Sequence, residues 1–156
     1  MAQQAIQQLM RENEMVSAVH AGHVLANALV RQGKLDQARE ALHRAEELRS
    51  GHPDPLLRIH GVIEKARLDL AVAERDHTVK TAEASVAGRL RTAALEAHRL
   101  GYLETECEAR LALLESEAVA GRPNLPSELR ALEQQANAHG YELTARKARL
   151  LATGIH

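Results

Sequence analysis

Nine histidines in a chain of 156 residues make metal binding the first chemistry to weigh. His20 and His23 stand three residues apart, and Glu40-x-x-His43 and Glu74-x-x-His77 each set a carboxylate and an imidazole one helical turn apart. Carboxylate-bridged di-iron bundles use a pair of such Glu-x-x-His motifs together with glutamates from two other helices. Here, however, His43 falls beside the apolar line Ala38, Leu42, Ala45 rather than on it, and His77 falls at an expected helix start. We read these histidines as solvated, with no resident metal and no cofactor. Cys107, the one thiol, lies on an apolar helical line and is expected to be buried and inert, since a nucleophilic thiolate needs a basic, partly exposed setting. There is no Gly-flanked serine elbow and no glycine-rich phosphate loop, so no enzyme activity is expected. What remains is a polar row, His20, His23, Asn27 and Arg31, stepping by three and four along one helix face.

Helices must position that row. Ala2 to Glu12 reads as a short helix with Ile6, Leu9 and Met10 on one side and Asn13 as a cap for the next, or as a run continuing unbroken. A long helix is expected from Glu14 to Gln32, with Leu25, Ala28, Leu29 and Gln32 at helical spacing, stopped by Gly33. Its antiparallel mate runs from Leu35 to Arg49, with Asp36 capping or charging its start. Asp54 before Pro55 is an N-cap followed by proline at the first helical position, and the stripe Leu56, Ile59, Ile63, Ala66, Leu70, Ala73 follows it. Asp76 offers a cap for a second stripe from Val79 to Leu100, although no glycine or proline marks the turn from Glu74 to His77. Gly101 stops that helix, and the next runs from Tyr102 to Ala120. Residues 122 to 126 make a rigid loop, a short helix spans Pro126 to His139, and the last runs from Tyr141 to Thr153.

Two echoes point to repeats. Leu100-Gly101-Tyr102 is answered by His139-Gly140-Tyr141, 39 residues on, and these are the only two tyrosines. Ala-Arg-Leu recurs at Ala66 to Leu68, Ala109 to Leu111 and Ala148 to Leu150, always inside the first helix of a hairpin. In the opening hairpin, Leu25, Ala26, Leu29, Ala38, Leu42 and Ala45 stand in register with the tetratricopeptide (TPR) repeat, a unit of about 34 residues. The stretch from Val19 to Pro53 thus resembles a degenerate TPR, with Gly22 in place of Trp, Leu29 of Tyr, Leu42 of Phe and Ser50 of Pro. The region from Ala94 to Ala152 is similar to the C-terminal end of helical repeat regions in bacterial TPR regulators. There such regions follow kinase-like or winged-helix domains, of which this sequence carries no motif. The resemblance implies an all-α fold, an α-solenoid of antiparallel helix hairpins over residues 1–156 as one domain. It also implies a scaffold whose concave face, lined by first helices, binds a protein or peptide partner in a regulatory or signalling assembly. His20, His23, Asn27 and Arg31 would contact that partner. His23 with Asn27 has the spacing by which some TPR co-chaperones hold a peptide's terminal carboxylate, although His23 stands where Lys is usual. A structural homo-oligomerisation domain, using the exposed end of the last hairpin, is the alternative.

Composition bounds the rest. Ala, Leu, Glu, Arg and Gln dominate, and Phe and Trp are absent, which favours helices over sheets. The net charge of −1 comes from nearly balanced acids and bases, so neither nucleic acid nor an anionic membrane is favoured. The residues from Met1 to Met10 lack a charged-then-apolar signal, no apolar run approaches spanning length, and a lone cysteine fits a reducing compartment; we expect a cytoplasmic protein. Glu104, Glu106, Glu108, Glu115 and Glu117 make one helix acidic between the basic groups Arg89, Arg91, Arg99 and Arg146, Lys147, Arg149. Antiparallel neighbours can pair these charges, but we read them chiefly as solvated faces, where a pair is worth about 0 to 1 kcal/mol.

Overall fold

The computed structural model describes the backbone of residues 2–123 and 125–154 and, within these, side chains from residue 11 onward. The described residues form seven helices and no strand: α1 Ala2–Arg31, α2 Leu35–Arg49, α3 Pro55–Arg75, α4 Val79–Leu100, α5 Leu103–Val119, α6 Leu125–Ala138 and α7 Glu142–Ala152.

The local signals act where they stand. The Asp54 carboxylate accepts from the Leu56 backbone N–H at 2.8 Å, with Pro55 opening α3. At Gly101 the chain turns left-handed (φ 77°), and the Tyr102 N–H donates back to the Ala97 carbonyl at 2.9 Å. Gly140 repeats the device with the Tyr141 N–H on the Ala136 carbonyl at 2.8 Å, so the echoed Gly-Tyr is a helix stop that aims the next helix. The turn from Glu74 to His77 does break the helix. His77 itself takes φ 57°, a conformation uncommon without glycine, and the Thr78 N–H bonds the Ala73 carbonyl at 2.8 Å. Asp76 does not cap α4; it ends α3, and its carboxylate takes the Arg75 guanidinium. Of the two roles expected of Asp36, it charges the first turn of α2 and does not cap it, for α2 is preceded by Lys34 without a side-chain cap and Asp36 pairs with Arg39 at 2.9 Å.

α1 takes one of the two expected forms and corrects one expectation. It passes through Asn13 unbroken, since an exposed Asn in mid-helix costs only a fraction of a kcal/mol and neither Gly nor Pro is there to stop it. The expected inward side of its first turns, Ile6, Leu9 and Met10, lies outside the described side chains. Its packing line is also rotated from the expected one. Val19, His23 and Ala26 are buried, while Leu25 is 53% exposed and Ala28 exposed. Gly22 explains the rotation: a Cβ there would meet the Ala45 Cβ at 2.9 Å, so α1 and α2 approach through the bare glycine backbone where a TPR register would place Trp.

Helices α1, α3, α5 and α7 touch in succession; α2 packs on α1 and α3, α4 on α3 and α5, and α6 on α5 and α7. Among the described residues α2, α4 and α6 do not touch one another. The core runs through this arrangement without a Phe or Trp. Ile59, Ile63, Val86, Leu90 and Ala97 fill its middle, and Cys107, Leu111, Leu129, Leu132 and Ala148 its C-terminal end. Alanines set the helix spacing, and the three of the Ala-Arg-Leu echo, Ala66, Ala109 and Ala148, are each fully buried. The echo's leucines follow the same logic until the last: Leu68 and Leu111 are buried, whereas Leu150 on α7 is 39% exposed, with no further described helix to cover it.

Candidate functional site

A polar seam crosses the three helices α1, α3 and α5, with Lys147 of α7 beside it. Asn27 Nδ2 on α1 donates to Glu64 Oε2 on α3 at 2.8 Å, and Arg31 Nε donates to Asn27 Oδ1 at 3.1 Å. Arg67 Nη1 bonds the other Glu64 oxygen at 2.7 Å, and its Nε reaches Glu115 on α5 at 3.4 Å. Glu64 and Arg67 keep side-chain exposures of only 11% and 13%, so this is a buried, satisfied ion pair rather than a surface one. Burial opposes the charge on Arg67, yet Glu115, Glu64 and Glu108 together hold its pKa above the usual arginine value. On α7, Lys147 is half-buried with no carboxylate within 4 Å among the described residues. Burial, then Arg67 and Arg31, pushes its pKa down, and Glu115 and Glu108 offset this only in part. α1 and α7 do not touch, so Arg31 and Lys147 face each other's field across a gap.

The four residues expected to meet a partner are divided by the fold. Arg31 is exposed and Asn27 half-buried, both on the seam. His20 is exposed, its ring set edge-on to His60 of α3 with centroids 6.2 Å apart. His23 stands apart: it is 4% exposed beside Gly61 and, instead of standing on the open face with Arg31, lines a hollow among α1, α2 and α3. The rotated packing line of α1 is the cause, since it carries position 23 inward with Val19 and Ala26. His23 Nδ1 is buried with no hydrogen-bond partner, and burial pushes the imidazole pKa down, with His60 and His20 acting in the same sense and Glu64 and Glu46 against. Glu64 and Arg67 stood outside the charge patterns of the sequence, and Glu115 and Lys147 entered them only as charges on solvated faces. A signal was available, because Arg67 is the middle residue of the Ala-Arg-Leu echo and Glu64 precedes it by one helical turn.

The other chemistry-bearing groups lie elsewhere. His43 is exposed on α2 and pairs with Glu47 at 3.4 Å, and His77 sits in the α3–α4 turn. Among the described residues no three His, Cys, Asp or Glu side chains come together to hold a metal ion. Cys107 is fully buried, and burial pushes its thiol pKa up. The acidic face of α5 is less solvated than expected. Glu117 is buried and takes Arg91 of α4 at 3.0 Å and Arg122 at 2.8 Å, while Glu106 is buried beside His98 at 3.0 Å. Antiparallel packing of α4 on α5 brings these charges together. Among the described residues no helix is long and apolar enough to cross a membrane. The chain matches no protein-family model, no curated protein and no solved structure.

Proposed function

We propose that the chain is a non-catalytic scaffold, a TPR-like α-solenoid of helix hairpins whose face formed by α1, α3, α5 and α7 binds a protein or peptide partner. The observation that carries this reading is the seam. It ties α1, α3 and α5, far apart in sequence, into one polar surface flanked by α7, yet leaves Arg31 and Lys147 without a carboxylate. A buried polar network of this kind fixes the relative positions of its helices, and the two spare cations are free to meet a partner's polar groups. A regulatory or signalling assembly in the cytoplasm is the natural setting for such a part, with neither nucleic acid nor membrane as its partner.

The test begins with a pull-down using the immobilised full chain, followed by titration calorimetry of the captured partner against Arg31→Ala combined with Lys147→Ala. Both side chains reach solvent, so the helical content is expected to stay intact while affinity falls about tenfold or more, the equivalent of roughly 1.4 kcal/mol. Unchanged affinity moves the site off this face. His23 is unsuited to the test, because its removal disturbs packing.

One observation favours a second reading, self-association through α7. Leu143 and Leu150, seven residues apart on the same face, are 61% and 39% exposed. Sedimentation equilibrium of the wild type and Leu143→Glu decides it: a dimer that the variant dissolves supports homo-oligomerisation, and a monomer in both removes it.

A further inference from the structure

On the face of α3 opposite to His60, Glu64 and Arg67, a groove of about 380 Å³ opens between α3 and α4. Ile59 and Val62 of α3 and Ala93 of α4 give it an apolar floor, and Gly88, Arg89 and Thr92 form its wall. Its size falls in the range of small-molecule sites. A second hollow of about 320 Å³ adjoins it through the shared residues Arg58 and Val62, because α2 and α4 do not close over α3.

The charges at the groove do not balance. Arg58 is matched by Glu96 across the groove. Arg89 of the groove wall and Lys65, an exposed side chain that lines the adjoining hollow, by contrast share the single carboxylate of Asp69, at 2.7 Å and 3.9 Å, which brings the two cations side by side at the groove's edge. Arg89 Nε is also buried without an acceptor, an unmet donor of the kind that folded proteins seldom leave. Gly88 keeps the groove wall low. It lies in the middle of α4, where glycine disfavours the helix relative to alanine, and nothing stands within 4 Å of where its Cβ would be. Gly88 is exposed on the groove wall, and without a side chain there the backbone of α4 is open to close approach by a ligand.

We propose that this groove binds a small aliphatic carboxylate, its acid group set against Arg89 and Lys65 and its chain lying over Ile59, Val62 and Ala93. A single acid group matches the single uncompensated cation. An aliphatic body matches a floor without aromatic side chains. The site lies on the other side of α3 from the partner-binding seam, and stands or falls independently of it.

The experiment is titration calorimetry of the full chain with octanoate, 1-octanol and acetate as probes. Octanoate is expected to bind one to one, with neither the alcohol nor acetate saturating. Gly88→Leu, which plugs the groove while favouring the helix, should abolish octanoate binding, and Lys65→Met, at an exposed side chain, should weaken it about tenfold. Absence of saturable octanoate binding, octanol binding as tightly as octanoate, or full binding by a folded Gly88→Leu variant overturns the assignment.

Discussion

Replacing Glu64 by leucine probes the seam most directly. Glu64 accepts from Asn27 at 2.8 Å and from Arg67 at 2.7 Å, and it is buried. Without it, Arg67 keeps only Glu115 at 3.4 Å, a carboxylate with 31% of its side chain exposed and so partly engaged with water. Removing one partner of a buried pair costs about 3–5 kcal/mol, because the other charge is left behind. The residual contact to Glu115 places Glu64→Leu near the lower end, about 3 kcal/mol. For a chain of this length each kcal/mol shifts the melting temperature by roughly 2–4 °C, so Tm should fall by about 10 °C. Arg67→Met should cost a similar amount, but the double variant Glu64→Leu with Arg67→Met should cost about 2 kcal/mol or more below the sum, since no charge is then stranded. Urea unfolding followed by far-ultraviolet circular dichroism, with all variants compared at equal slope, measures the cycle. A single-variant cost below about 1 kcal/mol, or strictly additive costs, refutes the view that these two residues form one buried unit.

Three further outcomes follow from the packing. Leu129→Ala, at a side chain 1% exposed, should destabilise by about 3–5 kcal/mol, whereas Leu42→Ala at a half-buried position should cost about 1–2 kcal/mol and His43→Ala almost nothing; urea unfolding that reverses this order contradicts the assigned register. Two of the helical glycines should respond with opposite sign: Gly22→Ala drives a methyl against Ala45 at 2.9 Å and should cost about 1–3 kcal/mol, while Gly88→Ala, with open space around it, should gain up to about 1 kcal/mol in thermal unfolding. His23 should make folding acid-sensitive. Its folded pKa lies below the ordinary value near 6.5, so the unfolded chain takes the proton first and stability is lost as pH falls below about 6.5; His23→Leu should flatten that part of the stability–pH curve, and a curve of unchanged shape counts against a neutral, buried imidazole.

Most of the helical order is written locally, and it could be read because each signal acts on its own neighbours. Asp54-Pro55 starts α3 through a bond to a residue two positions on, and Gly101 and Gly140 stop helices by admitting a left-handed turn whose bonds span five residues. The periodic apolar residues of α3 likewise marked its buried face from Ile59 to Ala73, and the alanines of the Ala-Arg-Leu echo are all buried. Tertiary structure decided what depends on pairs distant in sequence. The rotation of α1 follows from how closely Gly22 lets it approach Ala45, and it turned His23 from the open face into a buried position lining the hollow among α1, α2 and α3 and left Leu25 in solvent. The seam was invisible for the same reason, since Asn27 finds Glu64 across 37 residues and Arg67 finds Glu115 across 48. Residue types and periods state which side chains share a face of one helix, but not which face of the next helix they will meet. That is set by the closeness of helix approach and by the need to pair every charge that the packing buries.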